Sequence, residues 1–445
     1  MSDAGSTAPP TPLPTRLAFA DALAAVLDDV AALPPERVPL RAALGRALAA
    51  DVVSPVDLPP WDNAAMDGYA VRAADVRGAS ADGPVTLRVA GAIPAGGDAS
   101  AVTLAPGDAA RISTGAPVPS TADAVVRVED TDGGAQVVCI VDDRDVRGDA
   151  PQRRNVRPRG EDVRAGARAL GGGATIDAAA LGVLASVGCA TVPVARRPRV
   201  AIVSSGDELV TVEEFAEVVA GRRIVSSNTY TLEAQARLAG ADVAELGFAR
   251  DDVGAMRDRF AAALDGGCDV LVTSGGISVG EHDHTREALG ALGLAQRFWR
   301  ARIRPGGPLG FGVLPRPDGR VVRWLGLPGN PVSAMVTFEL FGRPLLRRLG
   351  GHQRAFRRAV AVTLAERVAT PAPLTHFLRA SVDVDDDGRL VARLTGAQGS
   401  NLLTSMACAD ALLVVPEAVG EVPAGGVLRA LLLGSDALDA EAAFA

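Results

Sequence analysis

In the segment Leu271-Val272-Thr273-Ser274-Gly275-Gly276-Ile277-Ser278-Val279-Gly280-Glu281-His282-Asp283, an apolar run gives way to glycines and serines and then to an acid. Glycine lets a backbone approach a ligand closely, and free N–H groups at a helix start attract an anion. Asp283 falls where the next helix is expected. A carboxylate beside an anion site is electrostatically unfavourable unless a cation lies between them. The segment therefore predicts a phosphorylated ligand accompanied by a divalent metal ion. His282 and His284 flank Asp283, but positions two apart in a turn tend to point away from each other, so a zinc site is not expected.

The composition narrows the setting for that chemistry. A chain of 445 residues exceeds one ordinary core, so about two to four domains are expected. It is 48% hydrophobic and 22% charged, as in soluble, packed proteins. No basic stretch followed by an apolar run opens it, and no apolar segment has membrane-spanning length. The cytoplasm is the expected compartment, with no membrane partner. All 45 basic residues are arginine, which excludes a P-loop, a Schiff-base lysine and the protein-kinase lysine. The net charge of −8 argues against nucleic acid, which selects a basic field. Cys139, Cys189, Cys268 and Cys408 form no CxxC pair and are read as structural.

The elements that must position these residues change character along the chain. Residues 1–14 are rich in proline, threonine and serine and are expected to be disordered. Residues 15–56 form a first stretch. Within it, Leu17 to Ala50 carries helical apolar spacing with two proline-marked breaks. Residues 57–149 read as a small β-rich domain, with strands at 85–90, 108–112, 124–128 and 136–141. The arginines between Arg153 and Arg159 fit either an oxyanion-facing surface or a solvated connection, and spacing alone favours the connection. From Arg199 to about 350, strands at 200–203, 241–247, 269–274 and 321–326 alternate with helices at 228–239, 253–264 and 285–292. A long helix then runs to about Leu349. This is the pattern of a doubly wound, mostly parallel sheet, whose ligands lie beyond the carboxyl ends of the strands. Residues 351–445 turn strand-rich again, at 360–364, 379–384, 390–394 and 411–415, and read as a β-barrel-like domain. The whole is an α/β multidomain chain.

Eight motifs occur in order: Pro60-Trp61-Asp62-Asn63-Ala64-Ala65-Met66-Asp67-Gly68-Tyr69-Ala70, Ile112-Ser113-Thr114-Gly115-Ala116-Pro117, Arg159-Gly160-Glu161-Asp162, Ser205-Gly206-Asp207-Glu208-Leu209, Arg250-Asp251-Asp252, the glycine-rich segment above, Arg304-Pro305-Gly306-Gly307-Pro308 and Leu327-Pro328-Gly329-Asn330-Pro331-Val332-Ser333. Arg379 and Gly399-Ser400 follow. Together they resemble the MoeA family of molybdenum-cofactor biosynthesis, over about residues 15–435. The resemblance implies a doubly wound domain of the MogA type and a molybdopterin molybdenumtransferase reaction. In that reaction adenylated molybdopterin takes up molybdate and releases AMP with Mg²⁺. It also implies that residues 15–56 and 150–196 form one elongated segment for linkage and dimerisation, and a homodimer whose cleft joins the doubly wound domain to the Asp67 and Thr114 region of the other subunit. Exchange with other cofactor-synthesis proteins and molybdoenzyme chaperones is implied too. The alternatives are a MogA-type adenylyltransferase, a tungsten-preferring paralogue and a gephyrin-like scaffold.

Residue chemistry and resemblance then combine. Gly275, Gly276, Ser278 and Gly280 are expected to cradle the pterin's terminal phosphate, with Thr114, Pro328, Gly329, Asn330 and Ser333 as further substrate contacts. Glu208, Asp251 and Asp283 follow different strands toward one sheet edge, where three acids need a shared hard cation. The resemblance adds Asp67 and Asp162 to the catalytic acids. It places Arg300, Arg304, Arg379 and Ser400 at the molybdate. Lysines are usual in the family at the positions of Arg300, Arg304 and Gly307. The two arginines keep the charge in forked form, whereas Gly307 keeps neither charge nor donor.

Overall fold

The computed structural model describes residues 16–146, 155–276, 284–371 and 373–434. Its centre is a six-stranded sheet. In chain order the elements are β1 (Arg199–Ser205), α1 (Ser227–Leu238), β2 (Asp242–Ala249), α2 (Val253–Asp265), β3 (Val270–Ser274) and α3 (His284–Ala291). They continue with β4 (Ala295–Arg300), β5 (Pro308–Pro315), β6 (Val321–Leu327) and α4 (Pro331–Thr337). The strand order is β2-β1-β3-β6-β5-β4; the first four are parallel and the last two join antiparallel.

Alternation along the buried strands explains the double winding. Val200 and Ile202 of β1, with Val270 and Val272 of β3, pack with Leu232 and Ala236 of α1. Ala201, Val203 and Leu271 face the other way, onto Met256, Phe260 and Leu264 of α2. Both faces of the sheet are thus covered, as parallel sheets require. Helix α2 is capped by Asp252, which accepts a hydrogen bond from the Ala255 N–H at 2.8 Å, satisfying one of the orphan donors of a helix start. Helix α4 passes through a π-helical stretch, Phe338–Gly342, into a further α-helix, Arg343–Leu349.

The strands Ala359–Leu364, Thr375–Val384, Leu390–Leu394, Ala411–Val415 and Val427–Leu432 form a closed ring, because Thr375–Val384 pairs with both Leu390–Leu394 and Ala411–Val415. The short strand Ile303–Arg304 pairs with Thr375–His376 and stitches this barrel to the central domain. In the N-terminal half, Gly68–Val71, Val85–Ile93, Asp108–Ile112, Ala124–Arg127 and Val137–Ile140 form a five-stranded sheet. The chain departs for this sheet and returns along antiparallel pairs, Pro35–Pro39 with Thr191–Ala195 and Val52–Val53 with Arg168–Leu170.

One expectation changes. Only Phe19–Leu27 of the segment Leu17 to Ala50 forms an α-helix; Pro35–Pro39 is a strand and Leu40–Ala42 a 3₁₀ turn. Pairing with Thr191–Ala195, far along the chain, overrides the local periodicity. The N-terminal helix packs into the central core through Ala22 and Val26. Phe19 meets Phe341 and Phe377 edge-on, with centroids 5.6 and 5.1 Å apart. Among the described residues no helix is long and apolar enough to cross a membrane.

Candidate functional site

A cavity of about 670 Å³ opens at the carboxyl ends of β1, β3 and β6. Glu208, Asp251, Gly275, Gly276, Pro328, Gly329 and Asn330 all line it. The turn after β3 demands glycine twice. Gly275 has φ +88° and Gly276 φ +66°; a Cβ on the first would sit 2.5 Å from the Ser205 carbonyl oxygen, and on the second 2.4 Å from Thr285 Oγ1. The backbone therefore lies close against its neighbours, and a side chain at either position would displace it. Ser278, Gly280 and Asp283 lie outside the described residues, as do Arg153 and Arg154.

Asn228, in the first turn of α1, fastens two of the loops together. Its Nδ2 donates to Ser274 Oγ at 2.8 Å and to the Gly329 carbonyl at 2.7 Å, while Ser274 Oγ donates to the Pro328 carbonyl at 3.2 Å. Sequence reasoning missed Asn228. The available signal was a polar Ser226-Ser227-Asn228 run opening a helix after a short apolar pair. Across the cavity, Asp207 accepts the Asp251 N–H at 3.3 Å, tying the two acid-bearing loops. His284 Nδ1 lies 3.5 Å from Asp251 Oδ1.

The barrel closes one end. Asn330 Nδ2 donates to Ser400 Oγ at 3.0 Å, and the Val332 N–H donates to the Ser400 carbonyl at 3.1 Å. Asn401, also unforeseen, joins the lining. Ser333 is buried and its side chain is not part of that lining. Arg304 faces a neighbouring cavity of about 460 Å³ with Gln398 and Gly399. Arg300 is half-buried in β4. Arg379 is fully buried: Nε donates to Ser405 Oγ at 2.9 Å and Nη2 to the Ala397 carbonyl at 3.0 Å, while Nη1 has no partner among the described residues. Burial holds its guanidinium below the usual arginine range. Neither described cavity is lined by it.

Asp67 and Thr114 sit together elsewhere, on the five-stranded sheet. Asp67 Oδ1 accepts the Thr114 backbone N–H at 2.6 Å and its Oγ1 hydroxyl at 2.9 Å, and these bonds hold the carboxyl below the usual carboxylate range. Both residues are exposed, as is Asp162 in the returning segment, and none of the three lines the cavity of Glu208 and Asp251. Among the described residues no cluster of three acid, histidine or cysteine side chains is poised to hold a metal. Glu208 and Asp251 do share one cavity, and their oxygen donors suit a hard divalent cation.

Residues 17–188 match the family described as MoeA N-terminal region (domain I and II). Residues 201–348 match a probable molybdopterin binding domain, and residues 361–433 match the MoeA C-terminal region (domain IV). Molybdopterin molybdenumtransferase 2 of Mycobacterium tuberculosis is 40% identical over 85% of this chain and 90% of its own length. Molybdopterin molybdenumtransferase of a Nostoc species is 36% identical over 82% and 81%. The crystal structure of a molybdopterin biosynthesis moeA protein from Pyrococcus horikoshii superposes with a TM-score of 0.79, at 27% identity, over 94% of this chain and all of that one. Matched from its N-terminal region through its barrel, the chain belongs to the MoeA family.

Proposed function

We propose that this chain is a molybdopterin molybdenumtransferase, which inserts molybdate into adenylated molybdopterin and releases AMP in the cytoplasm. The observation that carries the reading is the cavity where the loops after β1, β3 and β6 meet, lined by both acids and glycine turns. The Gly276 N–H, with Ser278 and Gly280, holds the pterin's terminal phosphate, while Gly275, whose N–H donates to the Leu327 carbonyl at 3.2 Å, supplies the tight turn. Pro328, Gly329 and Asn330 form the facing wall at the start of α4, with Ser333 buried in that helix's first turn. Glu208, Asp251 and Asp283 would hold Mg²⁺, which when bound neutralises charge on the phosphoanhydride. The same acids orient the attacking oxygen.

Molybdate, a tetrahedral dianion, is assigned to Arg300, Arg304, Arg379 and Ser400. Arg379 supports this, although it lines neither of the two described cavities, because it is a desolvated cation whose Nη1 has no partner among the described residues, a condition that favours an anion nearby. The working unit is proposed to be a homodimer. Val212, Phe215, Val219 and Ile224 leave apolar surface exposed beside the cavity, and Asp67, Thr114 and Asp162 would complete the cleft from the second copy. A MogA-type adenylyltransferase needs only the central domain, whereas the matched regions here extend on both sides of it.

The test incubates the protein with adenylated molybdopterin, Mg²⁺ and either molybdate or tungstate. AMP release that depends on the oxyanion and stops with chelator is the expected result. Accumulation of adenylated molybdopterin from ATP and molybdopterin, with no oxyanion-dependent AMP release, would overturn the assignment.

A further inference from the structure

A separate groove of about 530 Å³ lies in the N-terminal half, lined by Pro60, Trp61, Asp62, Val118, Asp123 and Arg159 among others. Trp61 is 45% exposed, whereas Trp324 is fully buried and Trp299 stacks against it with centroids 5.8 Å apart. Two of the chain's three tryptophans therefore serve packing, and Trp61 presents its ring to the groove. The exposure is built in. Asn63 and Ala64 are buried, Ala64 N–H donates to the Ala116 carbonyl at 3.0 Å, and the Asp62 carbonyl accepts the Val118 N–H at 2.9 Å. The backbone on either side of the groove is thus anchored.

The acids of the groove are anchored as well. Asp62 Oδ1 accepts the Arg159 N–H at 2.7 Å, and Asp123 Oδ1 accepts the Ala73 N–H at 2.6 Å. The Arg159 guanidinium is engaged by Asp57, with Nε 2.5 Å from its Oδ2, so its charge is directed to a carboxylate outside the groove. A flat indole flanked by oriented carboxylates matches a planar heteroaromatic ring that carries N–H donors on its edge. It does not match a phosphate.

We infer that this groove binds the pterin ring of the substrate, stacked on Trp61 with its amino-pyrimidinone edge on Asp123. The inference rests on the proposed function for the identity of the substrate. A pterin offers two parallel N–H donors on that edge, the arrangement by which a guanidinium grips a carboxylate. The adenine edge sets an acceptor nitrogen beside its amino group, which a carboxylate opposes. The chain from Asp62 to Asp67 links the groove to the Asp67–Thr114 pair, which lies at the Gly68 end of the strand Gly68–Val71, while Asp123 lies at its Val71 end.

Calorimetric titration of the full-length protein with 6-hydroxymethylpterin, and separately with AMP, tests the assignment. Trp61→Ala is expected to weaken the pterin about tenfold, in line with the loss of one aromatic stacking contact. Trp61→Phe restores most of the affinity, Asp123→Asn weakens it, and AMP binding stays unchanged in all three. Wild-type protein that binds no pterin, or Trp61→Ala protein that binds it with the wild-type Kd, overturns the inference. A Trp61→Ala defect confined to AMP overturns it too. Metal insertion measured in parallel separates the two claims. A wild-type enzyme that inserts molybdenum, with an unchanged KM for adenylated molybdopterin in Trp61→Ala, sinks the groove alone. A wild-type enzyme that inserts none sinks the proposed function.

Discussion

Asp67 and Thr114 show what a residue gains from a partner that the sequence does not place beside it. They are 47 positions apart, and the register that pairs Gly68 with Ile112 brings them together. Two hydrogen bonds from Thr114 favour the ionised carboxylate, so Asp67 stays charged to lower pH than an ordinary aspartate. Thr114→Val removes the hydroxyl donor but keeps the backbone one, so the Asp67 pKa should rise toward the usual carboxylate value. Asp67 would then protonate at a higher pH, and the acid limb of the activity profile should move upward. Carboxyl carbon NMR of Asp67, read against the pH–rate profile, checks both. An unchanged titration would mean that the backbone N–H alone sets the pKa. Both residues were legible as parts of motifs. The bond between them was not, because motif spacing carries no register. Arg379 was legible in the same way, and its complete burial was not.

At the scale of elements, the strands and helices from β1 to α4 that follow strong periodicity were readable to within a couple of residues. Others were not, for physical reasons. The strand Ala295–Arg300 reads Ala-Gln-Arg-Phe-Trp-Arg, with charge inside it, and Pro308–Pro315 is bounded by prolines and carries two glycines. Neighbouring strands, not local propensity, fix both. Helix α1 was foreseen, but its part in holding the cavity together was not, because Asn228 joins two loops that are far from it in the chain. Its Nδ2 is donated to an oxygen at the end of β3 and to one after β6. Asn228→Ala leaves those acceptors without their donor and should cost about 1–3 kcal/mol of stability. Asn228→Asp should cost more, since a carboxylate would face the Gly329 carbonyl with no proton to offer. Urea unfolding of the two variants decides: equal losses would show that the amide only fills space. The Kd for adenylated molybdopterin should rise in both, because Gly329 lies against the Gly275 turn.

For the molecule as a whole, the proposed function requires acids on two separate domains to serve one reaction. Glu208 and Asp251 line the cavity of the central domain, while Asp67 and Thr114 lie on a sheet reached through two antiparallel pairs and do not line it. If the proposed homodimer joins them, each cleft takes Glu208 from one chain and Asp67 from the other. Asp67→Ala and Glu208→Ala homodimers should each be inactive in metal insertion. After dissociation and random reassociation, half of the dimers are mixed. Every mixed dimer then carries one cleft with both substitutions and one with neither, so about a quarter of wild-type activity should return. A site formed within one chain gives a different answer, because every cleft would keep one substitution and no activity would return. Sedimentation of the mixture confirms that dimers formed. A companion substitution, Val219→Glu in the exposed apolar surface of the central domain, tests whether that surface makes the contact. It should shift the protein to monomer and abolish the recovery, since a charge placed in a desolvated interface lacks a partner.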